Sequence, residues 1–288
     1  MESARDGSGP GNGAGPLSRP LRPPPSALRP VVRAVTFDFW DTIYDGGNLP
    51  ERLSFRQQAI ATMLGAYGLE LPEHDVMRLY VESAREADRW WREEHRGYTT
   101  AERLRWVIER AGSKPRADCE HIAAACDAVD EALLRYPPPL LPGAADAVRA
   151  LAARVPLAIV SDTGFASGRA QDALLEQDGL LGLFAATVYS MDVGHAKPRT
   201  EPFRAAIDAL GVPSPGDVVH VGDNERTDVG GALAAGLRAI RLDVVRLGGW
   251  SAAEDAAQRD DESAAEFVAT SFEQLVEYVN DCGWRIAD

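Results

Sequence analysis

The stretch VVRAVTFDFWDT, Val31 to Thr42, decides the fold. Apolar and β-branched residues run through it without the strict alternation of a half-exposed strand. That is the pattern of a central parallel strand covered on both faces. The run closes on Asp38. Open α/β sheets bind their ligands outside the carboxyl ends of the strands, so this strand delivers a carboxylate to the place where chemistry is expected.

Beyond it the period changes. Apolar spacing predicts helices over 50–66, 73–95, 100–111 and 118–135, separated by Tyr67-Gly68, Gly97, Gly112 with Pro115, and Pro137 to Pro139. From 143 onward helices and strands alternate. Helix 143–153 precedes strand Leu157–Val160, and helix 166–177 precedes strand Ala186–Tyr189. Helix 201–210 precedes strand Val218–Val221, helix 227–235 precedes strand Arg238–Leu242, and a short strand Phe267–Val268 precedes helix 272–281. Alternation of this kind implies a parallel sheet with helices on both faces. The fold class is therefore α/β, a doubly wound parallel sheet formed by 31–48 and 137–288, with a helical insertion at 49–136 after the first strand.

Four polar clusters fall at strand ends: Asp38 to Thr42, Ser161-Asp162-Thr163-Gly164, Lys197-Pro198, and Gly222 through Asp228. One such cluster is ordinary turn chemistry. All four in one sheet gather three carboxylates, a hydroxyl and a lysine. Asp38, Asp223 and Asp228 offer the hard oxygen ligands that Mg2+ prefers. A carboxylate can accept a phosphoryl group and divide one displacement into two. A lysine, a strand-end hydroxyl and free backbone N–H groups can hold phosphoryl oxygens.

The formal charge of −14 and pI near 4.8 argue against a nucleic-acid partner, which needs a basic surface. A small anionic substrate is compatible with them, because charge inside a cleft can oppose the net charge. No stretch reaches the length of a membrane span, and the Gly/Pro-rich residues 1–30 lack the apolar segment of a secretory signal. Those 30 residues read as a disordered arm, and the whole as a cytoplasmic protein, a monomer or a homodimer. Stretch 246–264 reads as a polar loop or frayed helix. Cys119, Cys126 and Cys282 lack metal-type spacing and read as small buried hydrophobes.

The motifs FDFWDTIY, VSDTG, KPRTEPF and VGDNERTD, in this order and spacing, resemble those of the haloacid dehalogenase superfamily over residues 31–281. The resemblance implies a Rossmann-like core, a helical cap at 49–136, and a Mg2+-dependent hydrolase that acts on a small phosphorylated metabolite through an aspartyl-phosphate. It implies Asp38 as nucleophile and Lys197 as the lysine steadying the anionic intermediate. Ser161, Asp162 and Lys197 would bind the substrate phosphate. Asp38, the backbone carbonyl of Trp40, Asp223 and Asp228 would hold the metal.

Trp40 departs from the pattern, since phosphatases of this family usually carry a second Asp there as acid and base. Losing such a group costs about 10²–10⁴-fold in rate. Three readings follow. One is a phosphatase that uses a good leaving group or another acid, such as His195, Tyr44 or a cap residue. Another is a metal-independent 2-haloacid dehalogenase-like hydrolase, which also has an aromatic residue there. The third is a non-catalytic or weakly active phosphate- or metal-binding regulatory protein. Trp90 and Trp91 read either as a substrate-facing wall or as cap-to-core packing, Trp106 as core, and Arg226 as a surface residue or a partner of Asp228.

Overall fold

The computed structural model describes residues 31–47, 49–116, 120–244 and 263–281. The expected arm 1–30, most of the polar stretch 246–264, Cys119 and Cys282 lie outside the described residues.

Six parallel strands form one sheet: β1 (Ala34–Phe37), β2 (Leu157–Ser161), β3 (Phe184–Tyr189), β4 (Val218–Gly222), β5 (Arg238–Leu242) and β6 (Phe267–Ala269). Their order is β3-β2-β1-β4-β5-β6, so the strand order reverses at β1, the position where doubly wound sheets open a crevice. The α/β class expected from sequence is the class observed. Every residue of β1 is buried, with Val35 and Phe37 in one apolar cluster and Ala34 in another on the opposite face. The first cluster includes residues of α5 (Ala144–Ala152), α6 (Gly168–Gln177) and a C-terminal helix α10 (Phe272–Asp281). The second includes α8 (Thr200–Leu210) and α9 (Gly230–Ala234). A short helix, α7 (Ser190–Val193), follows β3.

Register aligns the strand ends. Phe37 is level with Ile159 of β2 and with Val221 of β4, and the Asp38 amide donates to the Val221 carbonyl at 2.9 Å. Asp38 therefore emerges beside the ends of both neighbours.

Between β1 and β2 run helices α1 (Pro50–Ala66), α2 (Glu73–Arg92), α3 (Thr100–Arg110) and α4 (Glu120–Arg135). Helix α1 opens on Pro50, whose fixed φ and missing N–H suit a first helical position. Helix α3 opens on a capping box between Thr99 and Glu102. The expected helix 73–95 stops at Arg92, because the chain turns into the left-handed region at His95 (φ 49°). The expected helix 227–235 begins instead with a π-helical turn, Glu225–Val229, whose first amides, of Arg226 and Thr227, are capped by Asn224 Oδ1 at 3.0 Å each. Ile60, Leu64, Leu79, Leu104, Ile108 and Val129 form an apolar cluster among α1–α4, with Trp106 packed against it as expected. Phe165, from the loop after β2, is inserted into this cluster. Cys126 is half-buried. Among the described residues no helix is long and apolar enough to cross a membrane.

Candidate active site

Lys197 lies between two carboxylates. Its Nζ donates to Asp38 Oδ1 at 2.5 Å and to Asp228 Oδ1 at 2.6 Å, and all three side chains are buried. Burial alone would lower the Lys197 ammonium, but Asp228, Asp38 and Asp162 outweigh it and hold the group charged, above its ordinary value. Burial would likewise raise Asp228, yet Lys197 and His220 hold that carboxyl well below the usual range. Asp38 goes the other way. Burial pushes it up, Lys197 offsets this only in part, and the negative charge of Asp228 adds to the rise.

Asp223 joins from the turn after β4. Asp38, Asp223 and Asp228 can each present an oxygen within 4.8 Å of the others. Three carboxylates against one ammonium leave an excess of two negative charges when all are ionised, which a divalent cation would match. The donor set is entirely hard oxygen, as Mg2+ requires, so these residues fit the metal that the sequence implies.

The geometry of Asp228 depends on a missing side chain. A Cβ on Gly222 would lie 2.4 Å from Asp228 Cγ, so only glycine at the end of β4 lets this carboxylate fold back toward Lys197. Two partners not singled out from sequence complete its setting. His220 is fully buried, and burial lowers its pKa against the opposing pull of Asp228, which favours the neutral ring. Its Nε2 lies 3.3 Å from Asp228 Oδ1 and its Nδ1 2.9 Å from Thr36 Oγ1. An ionised carboxylate only accepts. The network therefore assigns the proton to Nε2 and leaves Nδ1 to accept from the Thr36 hydroxyl. The available signal was a polar residue inside the otherwise apolar run Val218–Gly222.

Of the remaining expected residues, Asp162 is tied to the site through the Lys197 amide, which donates to its Oδ1 at 3.1 Å. Ser161 is buried at the end of β2, where its hydroxyl donates to Gln171 Oε1 at 2.9 Å. Trp40 lies in the turn after Asp38, half-buried and edge-on to Phe39 with ring centres 4.9 Å apart. Asp41 has a left-handed backbone (φ 58°), and its Oδ1 accepts from the Gly46 amide. Its carboxylate thus ties down the turn.

The candidate acids His195 and Tyr44 face other partners. Tyr44 is fully buried, stacked on Phe39, and donates to Asp178 Oδ2 at 2.7 Å; burial and Asp178 push its pKa above the ordinary value. His195 is turned toward Glu201, at 3.9 Å. Trp90 packs against Tyr98 and under Arg96, whereas Trp91 crosses to the core and donates from Nε1 to Asp162 Oδ2 at 2.8 Å. The Arg226 guanidinium lies 5.2 Å over the Trp91 ring and forms no ion pair with Asp228.

A buried lysine between aspartates, at the switch point of a parallel sheet, sets a charged carboxylate centre where doubly wound α/β proteins bind their ligands. Residues 32–236 match the family model for haloacid dehalogenase-like hydrolases, and the chain belongs to that family. It is 26% identical over 260 residues to the glyceraldehyde 3-phosphate phosphatase of Methanopyrus kandleri, covering 87% of this chain and 98% of the relative. It is 30% identical over 217 residues to the 5-amino-6-(5-phospho-D-ribitylamino)uracil phosphatase YigB of Escherichia coli, covering 73% and 84%. Among solved structures, the 2-haloacid dehalogenase of Pseudomonas syringae superposes with a TM-score of 0.60 at 23% identity, over 88% of this chain and 100% of the other. That likeness speaks for the fold.

Proposed function

We propose that this hydrolase is a cytoplasmic, Mg2+-dependent phosphatase of small phosphorylated metabolites, with helices α1–α4 as the cap over its site. The observation that carries the reading is the Lys197 ammonium held between Asp38 and Asp228, with Asp223 alongside. The phosphatase names of the two curated relatives support it.

In this reading an Asp38 oxygen attacks phosphorus, the bond to the leaving-group oxygen breaks, and that oxygen takes up a proton from solvent water. Water then attacks phosphorus and releases a proton to solvent, the bond between phosphorus and the Asp38 oxygen breaks, and the carboxylate is restored as inorganic phosphate departs. Mg2+, held by Asp38, Asp223, Asp228 and the Trp40 carbonyl, would supply positive charge opposite the developing phosphoryl charge. Lys197 offsets the charge on the same oxygens. Ser161 would donate to a phosphoryl oxygen after rotating away from Gln171, and the Asp162 backbone would close the same side. Trp40 has no proton to give, so the leaving group's own basicity governs the first step.

Hydrolysis of p-nitrophenyl phosphate, assayed with Mg2+ and with EDTA, tests the reading. Metal-dependent turnover that disappears in Asp38→Asn is the expected result. No turnover at high enzyme concentration would overturn it in favour of a binding protein. Halide release from a 2-halo acid under EDTA would favour a dehalogenase.

A further inference from the structure

Two arginines of α1 and α3 are buried without a counter-ion among the described residues. Arg56 and Arg103 are 7% and 5% exposed. Arg103 Nε donates to Ser83 Oγ at 3.1 Å, but its Nη2 is buried without an acceptor among the described residues. The Nε of Arg56 is buried in the same condition. Neither guanidinium reaches a described carboxylate. Both instead lie over Phe165, with the Arg103 carbon 3.9 Å and the Arg56 carbon 5.7 Å from the ring centre. Arg52, also buried, stands one turn earlier on α1 and donates to the carbonyls of Tyr136 and Gly47.

Stacking on Phe165 does not account for this arrangement. A cation over an aromatic ring gains about 0.5–2 kcal/mol, whereas removing an ion from water costs several kcal/mol even after relaxation. Two neighbouring buried cations also repel each other. A buried charge is ordinarily paired, and the missing counter-charge is therefore sought in a ligand. The position suits one. Phe165 is four residues past Ser161, its carbonyl accepts from the Thr100 hydroxyl at 2.8 Å, and Arg52 holds the chain at Gly47, shortly after Asp38 and its turn. The arginines thus occupy the part of the helical insertion that meets the two core loops bearing Asp38 and Ser161.

We propose that Arg56 and Arg103 form an anion subsite for a second anionic group, a carboxylate or a phosphate, on the leaving-group side of the substrate. This deepens the phosphatase reading and rests on it. It narrows the substrate class to phosphate esters that carry another negative charge.

The test compares kcat/KM within two pairs: 3-phosphoglycerate against glycerol 3-phosphate, and fructose 1,6-bisphosphate against fructose 6-phosphate. A preference of at least tenfold for the charged member identifies the group as carboxylate in the first pair and phosphate in the second. In Arg56→Met and Arg103→Lys that preference should fall at least tenfold. An independent readout is the Tm without substrate and its rise with malonate. Arg56 makes no hydrogen bond to a described residue, so Arg56→Met should keep or raise the Tm while losing the malonate shift. A fall in Tm of Arg56→Met with the malonate shift and the preference intact would overturn the subsite and leave the arginines as clamps on Phe165. No preference in either pair with the native protein would overturn it too. If p-nitrophenyl phosphate is not hydrolysed, the phosphatase reading fails, and the malonate shift alone decides the subsite.

Discussion

Trp91 and Asp162 are joined by a hydrogen bond of 2.8 Å that runs from the end of α2 to the residue after β2. The other oxygen of Asp162 takes the Lys197 amide, so one carboxylate holds the helical insertion and the lysine loop together. Trp91→Phe keeps an aromatic ring of smaller area and removes the donor. It should cost about 1–2 kcal/mol, measured by urea unfolding, since an acceptor loses its partner. An unchanged midpoint would show that the bond carries no stability.

Replacing Trp40 probes the missing acid. Trp40→Asp should raise turnover at least tenfold on alkyl phosphates and change it little on p-nitrophenyl phosphate, because only a poor leaving group needs a proton. The ratio of the two rates is the measurement. No change in that ratio, in a folded variant, would assign proton transfer to another residue.

The contribution of Asp38 to the stability of the metal-free protein, read as the native Tm minus that of Asp38→Asn, should fall as pH rises from about 4 toward 7. His220, whose pKa burial lowers, acts in the opposite direction but is common to both proteins. Asp38 is pushed up from 3.8 to about 7 by burial, against the pull of Lys197 and with Asp228 adding to the rise. A carboxyl whose folded pKa exceeds its unfolded value binds its proton more tightly when folded. Its contribution is complete below the unfolded value and lost as pH passes the folded one. Mg2+ should raise the native Tm more at pH 7.5 than at pH 5, because protons compete for the same oxygen. A Tm difference between native and Asp38→Asn that stays constant or grows from pH 4 to 7 in EDTA would contradict the assignment.

Gly222→Ala adds one methyl group where Asp228 Cγ stands. The expected outcome is loss of at least 10²-fold in kcat/KM with a Tm lowered by several degrees, since the carboxylate must leave Lys197 or the β4 end must shift. Activity within threefold of the native chain would mean that Asp228 can be placed in another way.

Legibility from sequence divided along a physical line. The parallel sheet could be read because each strand is a local apolar run, and Asp38, Asp223 and Asp228 because strand ends and turns have local signatures. Lys197 was legible as part of a polar cluster following a strand, but not as the partner of Asp38. Its partnership with Asp38 spans 159 positions, and no local pattern encodes it. His220 was hidden for the same reason, because Thr36 meets it across 184 positions. Arg56 and Arg103 escaped notice because an arginine in an amphipathic helix reads as solvated surface until neighbouring elements bury it. The helix after β4 was misplaced because Asn224 caps it earlier than the apolar spacing suggested.

The insertion of Phe165 among α1–α4 also bears on modularity. The helical segment enters the chain as one continuous block, which invites its exchange between related enzymes. Its interior, however, is completed by a ring that the core donates. A chimera that cuts at the two linkers alone would graft an unfinished interior and leave an aromatic side chain stranded on the recipient. The transferable unit is the segment together with position 165.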